Sequence, residues 1–485
     1  MTLIDKGHAR TAKAYILYRQ KRTEIRKAKT MLGIVDELKL PLNSILVLER
    51  RYLQKDVNGK ILESTGQMFR RIAKGIAEVD KKYGKSSAQV KETENEFYRI
   101  MTSLEFIPNS PTLMNTGTYL RQLSACFVLP VEDSIESIFD TLKATALIHK
   151  TGGGTGFSFS RLRPKGDVVQ TTGGIASGPI SFATIYDTAT DVVKQGGRRR
   201  GANMGILRVD HPDIMDFIVA KEKEGVLRNF NISIGATDEF MRAVEKDADF
   251  ELINPRNRQV AKKLKARAIW NLIIMMAWKN GEPGVIFLDT INKANPTPKI
   301  GQIEATNPCG EQPLLPYESC NLGSIDASRF VNEDGKMDWD RLRETVRMAV
   351  RFLDNVVDAN VYVMPEIEAM TKGNRKIGLG IMGFADMLIK RGIRYDTEEG
   401  LKAAAELMKF IDEEGHRTSK ELGKEALGKT FLDNSWIEVT SISSFKHVIN
   451  YLYLGESRNR KSDFALREKS NRILISCLNF SLETP

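Results

Sequence analysis

The chain has 485 residues, of which 41% are hydrophobic and 28% charged, as in ordinary soluble globular proteins and unlike disordered or fibrous ones. Its net charge of +10 comes from residues 1–30 and 446–485, because the residues between them carry equal numbers of basic and acidic side chains. This distribution argues against a basic face that binds nucleic acid, so we expect no nucleic-acid partner. The basic ends are better explained as solvated surface than as arms that contact nucleic acid. No signal-like or membrane-spanning apolar run is evident, so we expect a cytoplasmic protein without a membrane partner.

The four cysteines exclude two classes of site. They are too few for the disulfide framework of a secreted protein, and none of their spacings is CxxC. We therefore expect no structural metal. The cysteines are either buried, inert thiols or catalytic ones.

Taken in chain order, residues 1–30 form a basic helical segment, and residues 42–84 mix polar and apolar residues at helical spacing. Strand-like and helical segments then alternate through residues 120–400, which predicts an α/β domain with a largely parallel sheet. The alternation stops after about Leu427. The sequence thus predicts a small helical domain, an α/β domain and a divergent tail.

Two helices of the α/β region can be placed from their patterns. Asp133 or Ser134 is expected to cap the helix that ends near Lys150. Its apolar residues recur at helical spacing, at Ile135, Ile138, Phe139, Leu142 and Ala146. A later amphipathic helix carries one apolar face, formed by Leu342, Val346, Ala349, Leu353 and Val356.

Two glycine-rich stretches are candidate binding loops. The stretch KTGGGTGFSF at 150–159 suits a phosphate or substrate that lies close to the main chain, but it lacks the P-loop and dinucleotide patterns. A tight turn after a helix explains it equally well. The stretch KQGGRRRGANMG at 194–205 is either a cationic loop that closes over phosphates or a solvated surface loop.

The stretch from Glu304 to Ile325 carries the strongest chemical signal. Asn307, Cys309 and Glu311 alternate around Pro308 and Gly310, so in an extended segment their side chains would share one face. A carboxylate near the thiol disfavours a thiolate nucleophile, whereas a neutral thiyl radical avoids this objection and leaves Glu311 as a base. A cysteine taken singly is more often a buried small hydrophobe than a catalyst. Cys309 is the exception, because a carboxylate two residues away in a loop bounded by Pro and Gly is awkward to bury for packing alone.

These residues resemble the ribonucleotide reductase family, specifically the class II, adenosylcobalamin-dependent catalytic chain, over about residues 35–425. The resemblance is carried by NPCGEQPLLPYESCNLGSI, by SPTLMNTG with LSACF, and by NRKIGLGIMGFAD. It implies a ten-stranded α/β barrel, incomplete at its C-terminus, with the radical cysteine on a loop through its centre. The implied domains are an ATP-cone-like remnant (1–30), a helical domain (35–105), the barrel (106–430) and a divergent tail (431–485).

By this resemblance Cys309 is the thiyl residue that abstracts the ribose 3′-hydrogen. Glu311 is similar to the general base on the 3′-hydroxyl, and Asn307 to the residue that holds the substrate hydroxyls. Cys126 and Cys320 resemble the pair that reduces the 2′ position and becomes a transient disulfide.

The resemblance also implies two sets of binding residues. Substrate contacts fall on the residues already named and on Ser110, Ala125, Cys126 and Gly154. Effector contacts fall on Asp133, Lys150 and Arg163, with a relay loop at Lys194, Gln195 and Arg199.

The implied cofactor is adenosylcobalamin, and the implied substrates are ribonucleoside diphosphates, reduced to deoxyribonucleotides for DNA synthesis. Deoxynucleoside triphosphate or ATP effectors, a thioredoxin-like or dithiol reductant and a homodimer are expected with them. Two alternatives stay open: a class I large subunit that needs a radical-generating partner, and a catalytically incomplete nucleotide-binding fragment. The interval of eleven residues between Cys309 and Cys320 favours class II.

Overall fold

The structure is a computed structural model that describes residues 10–17, 19, 20, 23, 33–169, 173–193 and 200–427. Residues 10–17 are helical. Most of the predicted N-terminal remnant and the whole of 431–485 lie outside the described residues. Within the described ranges, every helix is too short or too polar to cross a membrane.

The first domain is helical, as predicted, and its helices are α1 (Leu42–Arg51), α2 (Thr65–Ala77) and α3 (Ser87–Thr102). Helices α2 and α3 each begin with a capping box. Ser64 and Ser86 each cap the backbone three residues ahead, and the glutamine at that position bonds back to the cap. This reciprocal capping satisfies N–H groups that would otherwise lack partners and fixes where each helix starts.

Strands and helices alternate after this domain. The strands are β1 (Phe106–Pro108), β2 (Cys126–Leu129), β3 (Gly154–Ser158), β4 (Val168–Val169), β5 (Gly174–Ile175), β6 (Asn203–Arg208), β7 (Phe230–Ala236), β8 (Asp249–Ile253), β9 (Val260–Lys265), β10 (Gly284–Phe287), β11 (Ala305–Thr306), β12 (Pro313–Leu314), β13 (Ser319–Asp326) and β14 (Ile377–Met382). The helices are α4 (Ser110–Asn115), α5 (Ile135–Lys150), α6 (Pro179–Val192), α7 (Ile214–Ile218), α8 (Asp238–Glu245), α9 (Ala266–Asn280), α10 (Leu288–Lys293), α11 (Trp339–Ala359), α12 (Pro365–Asn374), α13 (Phe384–Arg391) and α14 (Glu398–Leu427).

The main sheet has the order β1-β13-β2-β3-β6-β7-β10, with β14 also paired to β13. The five strands from β2 to β10 are mutually parallel, and β13 runs parallel to β14 but antiparallel to β2 and β1. The prediction of a largely parallel α/β sheet is therefore confirmed. Of the ten strands expected for the barrel, the described residues place eight strands in this sheet.

Helix α11 joins the two domains in one hydrophobic core. Its predicted apolar face is fully buried, and the ring of Phe352 lies 5.0 Å from that of Phe97 and 5.4 Å from that of Phe106. Such edge-to-face ring contacts stabilise the junction beyond the area that they bury. The helical domain is thereby fixed against the side of the sheet that carries β1 and β13.

Helix α5 begins as predicted, with Ser134 as its cap, but the predicted face is partly wrong. Ile135 and Phe139 are 58% and 47% exposed, whereas Thr141, Ala144 and Thr145 are buried. The small side chains face inward because α5 packs closely on α6, where the Tyr186 hydroxyl donates to the carbonyl of Ile138 at 2.6 Å.

Candidate active site

The segment with the strongest chemical signal forms a β-hairpin. Strands β11 and β12 pair antiparallel, and the loop 307–312 joins them. The Gly310 N–H donates to the Asn307 carbonyl, and the Asn307 N–H donates to that of Gln312, each at 3.1 Å. Gly310 has φ +84°, which side-chain-bearing residues rarely adopt. These bonds close a tight turn, so the segment is not extended, and Cys309 stands at its exposed tip.

The hairpin packs directly on strand β3. A Cβ added to Gly156 would lie 1.7 Å from the carbonyl oxygen of Thr306, and one added to Gly154 would lie 2.8 Å from Pro308. The Asn231 amide donates to the Pro308 carbonyl at 2.8 Å. What lies close to the main chain of the glycine-rich stretch is therefore the hairpin that carries Cys309.

Cys126 and Cys320 lie directly opposite each other on β2 and β13. Opposite residues of antiparallel strands have Cα atoms about 4.5–5.5 Å apart and side chains on the same face, within the range of a disulfide. Both side chains are thiols here, and they are 5% and 0% exposed. The sheet register thus holds the two sulfurs where they can form a bond with little movement.

A cavity of about 270 Å³ separates the hairpin tip from the ends of β1, β2, β3 and β13. The structure brings the predicted substrate contacts together in its wall, together with the predicted radical cysteine: Ser110, Ala125, Cys126, Gly154, Asn307, Cys309 and Glu311. Cys320 is not in the wall and lies next to Cys126. One thiol of the pair therefore faces the cavity and the other is fully buried.

Hydrogen bonds connect the hairpin to the pair. The Asn307 amide donates to the Cys126 sulfur at 3.1 Å, and the Cys126 thiol donates to Glu311 Oε1 at 3.8 Å. Cys320 donates to the carbonyl of Asn321 at 3.2 Å. Burial raises the pKa of the Cys320 thiol, and the nearby Glu311 carboxylate raises it further. Cys320 is therefore held as a thiol, and the Glu311 carboxylate lies close to the pair.

Sequence reasoning missed three polar residues of the cavity wall, Asn109, Arg200 and Ser324. Asn109 directly precedes Ser110, and Arg200 follows the predicted relay residue Arg199 in the run of arginines. The Arg200 guanidinium donates to Asn229 at 2.8 Å, which holds it beside the cavity. The run of arginines was visible in the sequence, but the place of Arg200 beside the cavity was not.

The predicted effector residues are not all brought together. Arg163 donates to the Asp133 carboxylate through its side chain at 2.8 Å and through its backbone N–H at 3.1 Å. Lys150 lies at the other end of α5, a helix of 16 residues, and a helix of that length is about 24 Å long. Lys194, Gln195 and Arg199 lie outside the described residues.

Family models match nearly the whole described part of the chain. Residues 38–121 match the ribonucleotide reductase all-alpha domain, and residues 124–440 match the ribonucleotide reductase barrel domain. The chain belongs to the ribonucleotide reductase family. The predicted fold, a helical domain followed by a barrel of ribonucleotide reductase type, is thereby confirmed.

The curated relatives include two vitamin B12-dependent ribonucleoside-diphosphate reductases. That of Thermoplasma acidophilum is 53% identical over 468 residues, covering 85% of this chain and 61% of the relative. That of Mycobacterium tuberculosis is 51% identical over 422 residues, covering 87% and 60%. The ribonucleoside-diphosphate reductase large subunit of vaccinia virus is 32% identical over 416 residues, covering 76% and 52%. The stronger likeness is to the B12-dependent ribonucleotide reductases, and the chain spans about three fifths of their length.

Proposed function

We propose that this chain carries the active site of an adenosylcobalamin-dependent ribonucleoside-diphosphate reductase, which makes 2′-deoxyribonucleotides for DNA synthesis. One observation carries the proposal: Cys309 stands at an exposed hairpin tip, and the Cys126–Cys320 pair stands across the same cavity. A cysteine outside the pair suits radical chemistry, and a pair of thiols suits a two-electron reduction. The names of the relatives that are more than 50% identical support the same function.

The residues at the hairpin fit a bulky radical-generating cofactor. Cys309 is exposed at the tip and also lines the cavity, so a group outside the cavity can reach the sulfur that contacts the substrate inside it. Adenosylcobalamin, when bound, supplies the one-electron oxidation that converts a thiol to a thiyl radical. The chain then positions the substrate, moves protons and keeps water from the ribose.

The cavity residues account for the reaction at the ribose. The Cys309 thiyl takes the 3′-hydrogen, and the Glu311 carboxylate accepts the proton of the 3′-hydroxyl. The 2′-hydroxyl leaves as water after receiving a proton from the pair. Cys126 and Cys320 together give two electrons and two protons and form a disulfide. Cys309 returns the hydrogen to C3′, and Glu311 returns the proton to the 3′-oxygen. One ribonucleotide and two thiols thus give one deoxyribonucleotide, one water and one disulfide.

The remaining partners follow from the resemblance and are part of the proposal. The Arg200 guanidinium in the cavity wall supports a phosphate-bearing substrate. A thioredoxin-like protein or small dithiol would reduce the disulfide, and triphosphate effectors would bind through Asp133, Arg163 and Lys150. A homodimer is expected for the family. Thiol chemistry of this kind supports a cytoplasmic location, where thiols are kept reduced.

Deoxynucleotide formation tests the proposal. The purified chain is incubated with adenosylcobalamin, a ribonucleoside diphosphate, an effector triphosphate and a dithiol, beside a Cys309→Ala control. Product that is absent from the control is the expected result. A folded chain that binds nucleotides and forms no product would contradict the activity and favour an incomplete fragment, since the chain spans about 60% of its relatives.

A further inference from the structure

The cysteine pair has a charged neighbour on a third strand. Strand β14 pairs with β13 in the register Asn321↔Ile377, so Lys376, one residue before β14, lies opposite Cys320. On the other side of β13, Cys126 of β2 also lies opposite Cys320. Opposite residues of neighbouring strands point to the same face of a sheet. A thiol, a second thiol and an ammonium group therefore follow one another across three strands.

Lys376 is buried and paired. Its Nζ lies 2.7 Å from Glu318 Oε2, and the two side chains are 5% and 1% exposed. Glu318 also accepts hydrogen bonds from the Leu315 N–H at 2.6 Å and from the Asn374 amide at 2.5 Å. Glu318 directly precedes β13, and the charges of Glu318 and Lys376 both act on the Cys320 thiol. These bonds hold both charges beside the buried sulfur.

Reduction of the disulfide must place a negative charge on a sulfur in this region. A thiolate from the reductant can reach Cys126, which lines the cavity, whereas Cys320 is fully buried. Cys320 is therefore the leaving sulfur. Burial, Glu311 and Glu318 all raise the pKa of the Cys320 thiol, and Lys376 lowers it. A bare thiolate at this position is costly unless a cation faces it.

We propose that the Lys376 ammonium, positioned by Glu318, stabilises the Cys320 thiolate that is released when a dithiol reduces the Cys126–Cys320 disulfide. The first thiolate of the dithiol bonds to the Cys126 sulfur, the disulfide bond breaks, and its electron pair stays on Cys320. The second thiolate then releases Cys126 by closing the disulfide of the reductant. The two protons of the dithiol end on Cys126 and Cys320. This inference rests on the proposed function, in which the pair is oxidised at each turnover.

The test measures disulfide reduction without nucleotide turnover. The full chain is oxidised chemically, mixed with a small dithiol, quenched by alkylation at successive times, and the peptides that carry Cys126 and Cys320 are quantified by mass spectrometry. Lys376→Gln is expected to slow reduction about tenfold, because the leaving thiolate loses its cation. The exposed Lys372→Gln, which removes a lysine paired with Glu368 on α12, is the matched control and should match the wild-type rate.

Glu318→Gln separates this role from a structural one. The variant removes a carboxylate next to the thiolate and leaves Lys376 in place, and the Asn374 amide can turn to offer its oxygen to the new side chain. It should reduce severalfold faster than wild type, opposite to Lys376→Gln. A purely structural pair predicts that the two variants are impaired alike.

Each outcome decides the inference. Wild-type reduction rates in both variants, or slowing in both, would overturn it and leave the proposed function intact. If Lys376→Gln fails to fold, Glu318→Gln decides alone, and a rate at or below wild type overturns the inference. A wild-type chain in which oxidation forms no Cys126–Cys320 disulfide would instead contradict the redox role of the pair in the proposed function.

Discussion

The hairpin and the paired strands place their cysteines in opposite surroundings. Cys309 stands on a tight loop and is exposed, whereas Cys126 and Cys320 lie on β2 and β13 and are nearly or fully buried. A sulfur that a bulky group must reach belongs on a loop tip held by a rigid base. Two sulfurs that must repeatedly form one bond belong in a fixed sheet register. Under the proposed function, exposure suits the radical role of Cys309, and the fixed register suits the redox role of the pair.

Cys309→Ala should abolish product formation but leave the Cys126–Cys320 pair able to form its disulfide. We expect deoxynucleotide formation to fall by at least about 10³-fold, because a residue that works as part of a catalytic unit is removed. A mild oxidant should still form the Cys126–Cys320 disulfide, since the register of β2 and β13 does not depend on the hairpin tip. A product assay checks the loss of activity, and peptide mapping checks the disulfide. Undiminished product in the variant would show that Cys309 has no radical role.

Cys320→Ser should remove the redox pair and leave Cys309 in place. The variant cannot form the disulfide, so we expect product to fall by roughly 10²-fold or more, because the two-electron donor is lost. The serine hydroxyl can keep the hydrogen bond to the Asn321 carbonyl, so the fold should survive, as circular dichroism would show. Multiple turnovers by this variant would mean that the electrons come from elsewhere.

Gly156→Ala tests the position of the hairpin, because it should move the loop while leaving the loop residues unchanged. The added methyl would lie 1.7 Å from the Thr306 carbonyl oxygen, so β11 must shift. We expect a loss of roughly 3 kcal/mol in the free energy of unfolding and a displaced Cys309, with lower activity.

The control for that variant is Gly373→Ala. Gly373 lies in α12 and has no heavy atom within 4 Å of an added Cβ. Alanine there should stabilise the helix by about 0.5–1 kcal/mol and leave activity unchanged. Equal effects of the two variants on urea unfolding would contradict the close approach of the hairpin to β3.

The smallest expected effect is the pH dependence of stability from the buried thiol. The pKa of Cys320 is raised in the folded chain, so above about pH 9 the unfolded chain loses a proton that the folded chain keeps. Stability from this group is present below that pH and falls by about 1.4 kcal/mol per further pH unit. Cys320→Ala should show a shallower decline in urea unfolding between neutral and alkaline pH. Identical slopes would contradict the burial of the thiol.

The sequence predicted the elements that have a periodic pattern of apolar residues. The apolar face of α11 and the alternation of strands and helices follow from period and pattern, and both are confirmed. The face of α5 does not follow, because threonine and alanine pack inward there while Ile135 and Phe139 stay exposed. The two helices pack so closely that small side chains fit between them and large apolar ones do not.

The motif residues were found from the sequence, but their geometry was not. The resemblance named the residues that line the cavity with Cys309, whereas local alternation gives a common face only for an extended segment, and the chain makes a turn here. The turn depends on the pairing of β11 with β12 and on the space left by Gly156, and the second of these is a contact between distant parts of the chain. The opposition of Lys376 and Cys320 is likewise visible only once the register of β13 and β14 is known.

The most direct test of the account is a single turnover without added reductant. The reduced chain, loaded with adenosylcobalamin, a ribonucleoside diphosphate and an effector, is quenched by alkylation, and deoxynucleotide and cysteine peptides are quantified together. We expect one Cys126–Cys320 disulfide for each deoxynucleotide formed, with Cys309 still alkylated as a thiol. Deoxynucleotide formed while Cys126 and Cys320 both remain thiols would contradict it.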